Sequence, residues 1–285
     1  MQAILITAYK NFAQLTDIIQ FFNAGFELYI HIDKKHKPDD SIINELQKYP
    51  QVKLISFKYT VNYAGLNHLK SILYLSEQAL LNPNVQYIHS ISGQDFPTKS
   101  LQYFQSFVKQ NKTTNYLQYF KMPNKQWENG GMDRIELYNF YDVFDAKKRQ
   151  YRINKLLEFQ KKLGIKRSLS SQIKQLYGGS TWWSLSRQTL HYVIDYTNKQ
   201  PYLIKRLKHS FCSEEIYFQT VIMNSEFASN VINNNLRYVN WELKHGSIPA
   251  IIDIADLENI RKGNYLFARK FDAPFSDELK GLLHK

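Results

Sequence analysis

Cysteine is almost absent from this 285-residue chain. Cys212 is its single thiol, so an internal disulfide and a zinc site built from several thiolates are both excluded. No run of eighteen apolar residues occurs, and the start, MQAILITAYKN, lacks the charged segment, long apolar run and cleavage site of a secretory signal. No low-complexity tract or Gly/Ser linker divides the chain. We therefore expect a globular cytoplasmic protein that forms one continuous unit.

Several common catalytic motifs are missing as well. The chain has no G-x-G-x-x-G turn after its first strand, no Walker A lysine loop and no G-x-S-x-G elbow. His31 with Asp33 is a weak signal for a metal pair, because the other histidines are scattered. No Asp-x-Asp pair occurs, and such a pair is the usual anchor for a divalent cation beside a diphosphate. We therefore expect neither a dinucleotide fold, nor a serine hydrolase, nor a metal site.

Positive charge is abundant: the net charge is +12 and the pI is near 9.4. It is concentrated between Lys147 and Lys174, where ten lysines and arginines accompany a single acid, Glu158. Apolar residues recur there at helical spacing, at Ile153, Leu156, Leu157 and Leu163. This pattern is typical of an ordinary surface helix, or of a segment that docks on anionic lipid or on an acidic acceptor. A nucleic-acid-binding protein is a further alternative, although no RRM, KH or zinc-finger pattern is present.

The first half of the chain alternates apolar strand patterns with helical ones. We predict strands at 3–9, 26–32, 52–57 and 85–92, and helices near 12–24, 41–49, 66–81 and 100–110. Alternation of this kind predicts a parallel α/β sheet, which binds ligands beyond the carboxyl ends of its strands. The residues expected at that edge form the turns TAYKN, HIDKK and SGQDFP.

The second half is less regular. We predict helices at 148–163, 187–197 and 213–224, and short strands near 181–185 and 236–241. With no linker between the halves, we expect a single domain over 1–285, in which the half at 121–285 covers the binding edge of the sheet in the half at 1–120.

An ordered set of segments resembles one known family. The segment YIHSISGQDFPTKS at 87–100 resembles the hallmark of the core-2/I-branching glycosyltransferases, a family that includes peptide xylosyltransferases. Further segments match in the same order: LYIHIDKKH, VNYAGLNHLKSILYL, YGGSTWWSLSRQTLHYVI, SEEIYFQTVI, LRYVNWE and NYLFARKFD. The resemblance implies an α/β GT-A fold and inverting, metal-independent transfer from a UDP-sugar to a hydroxyl. It also implies that 1–120 binds the nucleotide sugar and that 121–285 supplies acceptor contacts and catalysis.

The resemblance also assigns roles to individual residues. Glu215, in SEEIYFQT, matches the family's general base, which takes the proton of the attacking hydroxyl. From the residues alone, Ser213 followed by two glutamates is equally typical of a capped helix start. Arg269 and Lys270 match positions that neutralise the leaving diphosphate. Ala250 stands where relatives usually carry an arginine, with Lys244, His245 and Lys262 as open substitutes.

The resemblance also implies contacts with the donor and the acceptor. Ile6 and Val239 match positions that flank the uracil, and Asp33 and Tyr63 match positions that hold the nucleoside, although the first two are equally typical of core strands. Asp95 is expected to support the donor site or only to cap its turn. The expected donor-sugar and acceptor contacts are Ser180, Trp182, Trp241 and Arg134.

The remaining expectations concern substrates and place. The resemblance favours UDP-N-acetylglucosamine as the donor, with UDP-xylose or UDP-glucose as alternatives, and a glycan or glycolipid as the acceptor. No anchor or stem precedes the matched segments, so a bacterial enzyme of surface-glycan synthesis is expected. It would work in the cytoplasm, with peripheral contact to the inner membrane face through 147–174.

Overall fold

The computed structural model describes residues 1–169 and 172–284. Its strands are β1 Gln2–Ala8, β2 Phe26–Ile32, β3 Val52–Ser56, β4 Tyr87–Ser92, β5 Asp95–Pro97, β6 Asn115–Lys121, β7 Tyr177–Ser186, β8 Val231–Ile232, β9 Arg237–Val239 and β10 Phe267–Arg269. Its α-helices are α1 Phe12–Phe21, α2 Asp40–Gln47, α3 Leu66–Leu80, α4 Leu101–Gln110, α5 Asp133–Glu136, α6 Ala146–Lys162, α7 Arg187–Lys199, α8 Tyr202–Arg206, α9 Tyr217–Met223, α10 Leu257–Lys262 and α11 Asp277–Leu282.

A seven-stranded sheet in the order β3-β2-β1-β4-β7-β6-β8 forms the centre of the molecule. The four strands predicted in the first half pair in parallel, as expected. Beyond β4, where no strand direction was predicted, the sheet becomes mixed, because β7 runs antiparallel to both β4 and β6. The result is a mixed α/β sheet whose parallel part carries the edge at which a ligand is expected.

Both faces of the sheet are covered, which explains the continuous apolar runs of the central strands. Along β1, Ala3 and Leu5 face a cluster that includes helices α3, α7 and α9. Ile4 and Ile6 face the opposite cluster, which contains α1, α4 and α11. Alternate residues of a strand point to opposite faces, so β1 anchors two apolar layers at once.

The second half differs from its prediction in two places. The predicted helix at 213–224 is a 3-10 turn at Ser213–Glu215 followed by α9, and the predicted strand at 181–185 is the middle of the longer β7. A small second sheet, in the order β5-β10-β9, was not predicted. In it β10 pairs antiparallel with β5 and parallel with β9, so the LFAR segment lies directly beside the SGQDFP turn.

The basic segment forms α6, which begins two residues before its predicted start. Ile153 is buried and Leu156 and Leu157 are partly buried, as the apolar spacing predicts. Leu163 is 58% exposed, so its assignment to the same stripe is wrong; it follows the last helical residue and leaves the packed face. Ser170 and Ser171 of the basic segment lie outside the described residues. In the described part of the chain, no helix is both long and apolar enough to cross a membrane.

Candidate functional site

The turns that follow β1, β2 and β4 meet at the carboxyl edge of the parallel strands, as predicted. The backbone N–H of Asp33 donates to the carbonyl of Ala8 at 2.9 Å, and that of Gly93 donates to the carbonyl of Thr7 at 2.9 Å. A Cβ on Gly93 would lie 3.1 Å from the Cβ of Ala8, which is tighter than ordinary packing. Glycine at this position therefore allows the QDFP turn to lie directly against the end of β1.

Asp33 is buried and fully engaged with its own loop. Its carboxylate accepts the backbone N–H of Lys35 at 3.1 Å and that of Val61 at 3.0 Å, and contacts the His36 ring at 3.0 Å. These partners explain how a carboxylate can end an apolar strand without an uncompensated desolvation cost. Asp33 therefore stabilises the loop that contains Val61 and Tyr63.

His31, two residues before Asp33, is buried in β2 and bonded to the backbone. Burial lowers the pKa of the His31 imidazole to about 4, and its Nε2 accepts the backbone N–H of Tyr59 at 3.1 Å. In residues 1–169 and 172–284, no three or more His, Cys, Asp and Glu side chains are grouped so that they could hold a metal ion.

Asp95 is fully buried, and its two carboxylate oxygens have different partners. One oxygen accepts the backbone N–H of Ser92 at 2.7 Å together with the Ser92 hydroxyl, which closes the turn. The other oxygen has no hydrogen-bond partner among the described residues and lies 3.7 Å from Nε of Arg269 on β10. Asp95 thus both holds the turn and faces a cation from the far end of the chain.

Trp182 connects this cation to a second group of polar residues. The guanidinium of Arg269 lies 4.8 Å from the Trp182 ring, and His68 packs edge-on against Trp182 with ring centroids 6.0 Å apart. His68 in turn contacts Glu214 at 3.0 Å through Nδ1 and Thr7 at 3.2 Å through Nε2. The basic residues of β10 and the acids of the Ser213–Glu215 turn therefore belong to one contiguous site.

Glu215 is a half-buried carboxylate at the end of the Ser213–Glu215 turn before α9. Its Oε2 accepts from Arg134 at 2.6 Å, and the Arg134 guanidinium stacks on Trp127 at 3.6 Å from the ring centroid. Burial and the nearby charge of Glu214 raise the pKa of Glu215, while the Arg134 contact opposes this rise. With Oε2 held by Arg134, Oε1 remains to accept a proton from a substrate hydroxyl.

Tyr63 and Trp241 are the exposed aromatic residues among the predicted contacts. Tyr63 is 62% exposed and packs edge-on against Tyr141 and Phe211, which leaves a ring face open to solvent. Trp241, just after β9, is 71% exposed. Exposed, supported aromatic faces of this kind suit contact with a base or a sugar ring.

Other predicted contacts are less accessible. Ile6 is fully buried within the apolar layers, which makes direct contact with a uracil incompatible with its position; the structure favours the core-strand alternative. Val239 lies half-buried on β9, and Trp182 is almost fully buried. Ser180 accepts the backbone N–H of Trp182 at 3.2 Å and its carbonyl accepts from Gln219, so it shapes the turn before Trp182.

Lys270 lies at the end of β10 with little compensating charge. Its ammonium donates to the Ser247 hydroxyl at 3.1 Å, and no carboxylate in the described part of the chain lies within 4.0 Å of it. Burial and the charges of Arg269 and Lys10 lower the pKa of Lys270. A cation in this situation is suited to bind an anionic ligand.

The three residues considered as substitutes for an arginine at Ala250 are all paired elsewhere. Lys244 contacts Asp253 at 2.5 Å and Asp256 at 3.0 Å, and His245 contacts Asp253 at 2.8 Å. Lys262 is exposed and lies 3.9 Å from Glu258 in α10. Their positive charge is therefore already compensated by neighbouring acids.

Sequence reasoning missed His68 and Trp127 as members of this site. His68 reaches the site through contacts with Thr7, Trp182 and Glu214, all far away in sequence, and Trp127 reaches it through its stacking with Arg134. The only local signal that could have suggested His68 is its position in the first turn of α3, on the side that contacts Thr7 of β1.

With this geometry described, the chain can be compared with known proteins. Residues 3–261 match the family model described as "Core-2/I-Branching enzyme". "Xylosyltransferase oxt" of Drosophila pseudoobscura pseudoobscura is 26% identical over 224 residues, covering 76% of this chain and 23% of that protein. "Xylosyltransferase 2" of Rattus norvegicus is 24% identical over 279 residues, covering 90% of this chain and 30% of that protein. The chain thus spans about a quarter to a third of the length of these curated relatives.

Solved structures give more distant similarities. The crystal structure of S. aureus TarS 1-349 aligns with a TM-score of 0.41 and 12% identity, covering 81% of this chain and 57% of that chain. The 4-diphosphocytidyl-2C-methyl-D-erythritol synthase of Anaerococcus prevotii aligns with a TM-score of 0.34 and 10% identity, covering 70% and 77%.

Proposed function

Because the chain belongs to the Core-2/I-Branching enzyme family, we propose that it is an inverting glycosyltransferase that moves a sugar from a UDP-sugar to a hydroxyl of a glycan or glycolipid. The observation that carries the proposal is the contiguity of the site. Glu215, a carboxylate with a raised pKa, is preceded in the chain by Glu214, which contacts His68; His68 packs on Trp182, and Trp182 packs on Arg269, the neighbour of Lys270.

The reaction follows from this arrangement. The acceptor oxygen attacks the anomeric carbon, forming the new glycosidic bond on the face opposite the departing phosphate. The bond from that carbon to the phosphate oxygen breaks, and UDP leaves with the electron pair. The acceptor proton passes to Glu215, whose raised pKa makes it a stronger base than an exposed glutamate.

The charge of the departing diphosphate is met, in this proposal, by side chains rather than by a divalent cation. Arg269 and Lys270 stand side by side at the end of β10 and beside the QDFP turn. Fixed cations in a half-buried site stabilise developing negative charge without reorganising during the reaction. Turnover should therefore persist in excess EDTA and gain little from added Mn²⁺; loss in EDTA with recovery in Mn²⁺ would overturn this part.

The donor sugar separates two versions of the proposal. The sequence resemblance favours N-acetylglucosamine, whereas the curated relatives named above are xylosyltransferases, which supports UDP-xylose as the alternative. Incubation of the protein with a panel of UDP-N-acetylglucosamine, UDP-xylose and UDP-glucose, read by mass spectrometry as transfer or slow hydrolysis, tests both. Turnover with none of them, together with a salt-sensitive shift of random oligonucleotides, would favour the nucleic-acid alternative instead.

The outer face of α6 supports a place of action at a membrane. Its basic residues Lys148, Lys155 and Lys162 are exposed, as are Tyr151 at 57% and Phe159 at 56%. Exposed aromatic rings among lysines are typical of helices that lie on anionic bilayers, where the rings enter the headgroup region and the lysines meet lipid phosphates. We propose peripheral contact of this face with the inner leaflet of a bacterial membrane, at which a cytoplasmic enzyme would meet lipid-linked acceptors.

A further inference from the structure

The proposed diphosphate site contains Arg269 and Lys270 but not the arginine that the resemblance leads us to expect at Ala250. Ala250 is fully buried, its backbone N–H donates to the Asn240 carbonyl, and its own carbonyl accepts from the backbone of Lys270. The position therefore lies directly beside Lys270 but carries no charge. Because Lys244, His245 and Lys262 are paired with acids, the compensating cation must come from another part of the fold.

Lys10, near the N-terminus, lies close to the segment that contains Lys270. It lies two residues beyond β1, and its Nζ contacts Oδ2 of Asp272 at 2.5 Å. Asp272 is two residues beyond Lys270 and also accepts from the side chain of Asn11 and, at 3.5 Å, from that of Gln94. The TAYKN turn, the QDFP turn and the end of the LFARKFD segment therefore share one carboxylate.

The Lys10 ammonium keeps part of its binding capacity. It has three N–H donors, of which the contact with Asp272 uses one, and its side chain is 38% exposed. Its charge is also close enough to Lys270 to contribute to the lowered pKa of that ammonium. An anion bound near Lys270 would offset this repulsion.

The charges of the residues around Lys10 and Lys270 also favour an anionic ligand. Lys10, Arg269 and Lys270 face two carboxylates, those of Asp95 and Asp272, and Nε of Arg269 has no hydrogen-bond partner among residues 1–169 and 172–284. One positive charge is left over, which favours an anionic ligand at this cluster.

We propose that Lys10 is a diphosphate-binding residue that, together with Lys270, takes the part of the arginine missing at Ala250, and that Asp272 is the positioning residue that aims it. This inference deepens the proposed function and rests on it, since it concerns the same UDP-sugar site. The Asp272 carboxylate, supported by Asn11, fixes the direction of a long, flexible side chain, so less rotamer freedom is lost when the nucleotide binds.

The test compares ligands that differ only in the diphosphate. Isothermal titration measures the binding of UDP and of uridine to the wild type and to Lys10→Met, which keeps the aliphatic stem but removes the charge. UDP affinity should fall by roughly tenfold to a hundredfold, the usual loss for one charge-assisted contact. Uridine affinity should change by less than about twofold, because uridine presents no phosphate to the missing ammonium.

The controls separate a lost contact from a damaged fold. Lys280→Ala removes another partly buried lysine, one that pairs with Asp17 of α1, and should leave the binding of both ligands unchanged. Lys10→Arg, which keeps the charge, should restore most of the UDP affinity. If Lys10→Met does not fold, Lys10→Gln provides a second neutral variant for the same titration.

The outcomes distinguish this inference from the function on which it rests. A wild-type protein that binds neither UDP nor a UDP-sugar would refute the proposed function itself. Wild-type binding of UDP with an undiminished affinity in Lys10→Met would overturn the role of Lys10 alone. Equal losses for UDP and uridine would also overturn it, because the lysine would then support the fold of the edge rather than the diphosphate.

Discussion

Replacing Glu215 by glutamine tests the proposed base with little change in shape. The amide has nearly the volume of the carboxylate, and its oxygen can still accept from Arg134, which lies 2.6 Å from Oε2 in the native site. What is lost is the ability to take a proton. General-base catalysis contributes about 10²–10⁴ in rate, so the barrier should rise by roughly 3–5 kcal/mol.

The assay must separate chemistry from binding. Transfer is measured under saturating donor with the sugar that the donor panel identifies, and UDP binding is measured by titration. Glu215→Gln should bind UDP as the wild type does, because the diphosphate cations lie across Trp182 from the carboxylate. Glu226→Gln, an exposed glutamate after α9, is the matched control and should retain full turnover. Wild-type turnover in Glu215→Gln would remove this residue from the mechanism.

Three further predictions follow from the same site and from α6. Glu214→Gln should move the acid limb of the kcat/KM profile to lower pH, because the charge of Glu214 helps to raise the pKa of Glu215; an unmoved limb would mean that another group titrates. Lys270→Ala should weaken UDP far more than uridine, and equal losses would indicate misfolding instead. The protein should co-float with anionic liposomes at low salt, and the bound fraction should fall as salt rises and in the double variant Lys155→Glu and Lys162→Glu. No co-flotation at low salt would mean that this face of α6 is only solvated.

The first half of the fold could be predicted because its signals are local. Strands β1 to β4 and helices α1 to α4 lie within a few residues of their predicted bounds, since each is set by its own apolar period. The family resemblance stated from the ordered motifs is confirmed by the match over 3–261. The α/β fold implied by it is confirmed as well, and the antiparallel pairing of β7 is a feature that the sequence did not indicate.

The second sheet could not be predicted for a physical reason. Strand β9 lies within the strand predicted near 236–241, but β5 and β10 have three residues each, too few to show a period, and β10 pairs with residues about 170 positions earlier in the chain. Such pairing is decided by the collapsed molecule rather than by local propensity. The ion pair of Lys10 with Asp272, 262 residues apart, was hidden for the same reason.

The two oxygens of the Asp95 carboxylate have different partners, and this leads to a last prediction. One oxygen satisfies the local turn through Ser92, and the other meets Arg269 from the end of the chain. Asp95→Asn keeps an acceptor for Ser92 but removes the charge facing a mostly buried guanidinium, so the free energy of unfolding should fall by about 3–5 kcal/mol. Ser92→Ala removes hydroxyl hydrogen bonds while keeping the ion pair and should cost only about 1–2 kcal/mol. Urea unfolding of the two variants compares these losses. If both variants lost the same free energy, the carboxylate would serve the turn alone, and the link between this motif and the diphosphate cations would have to be abandoned.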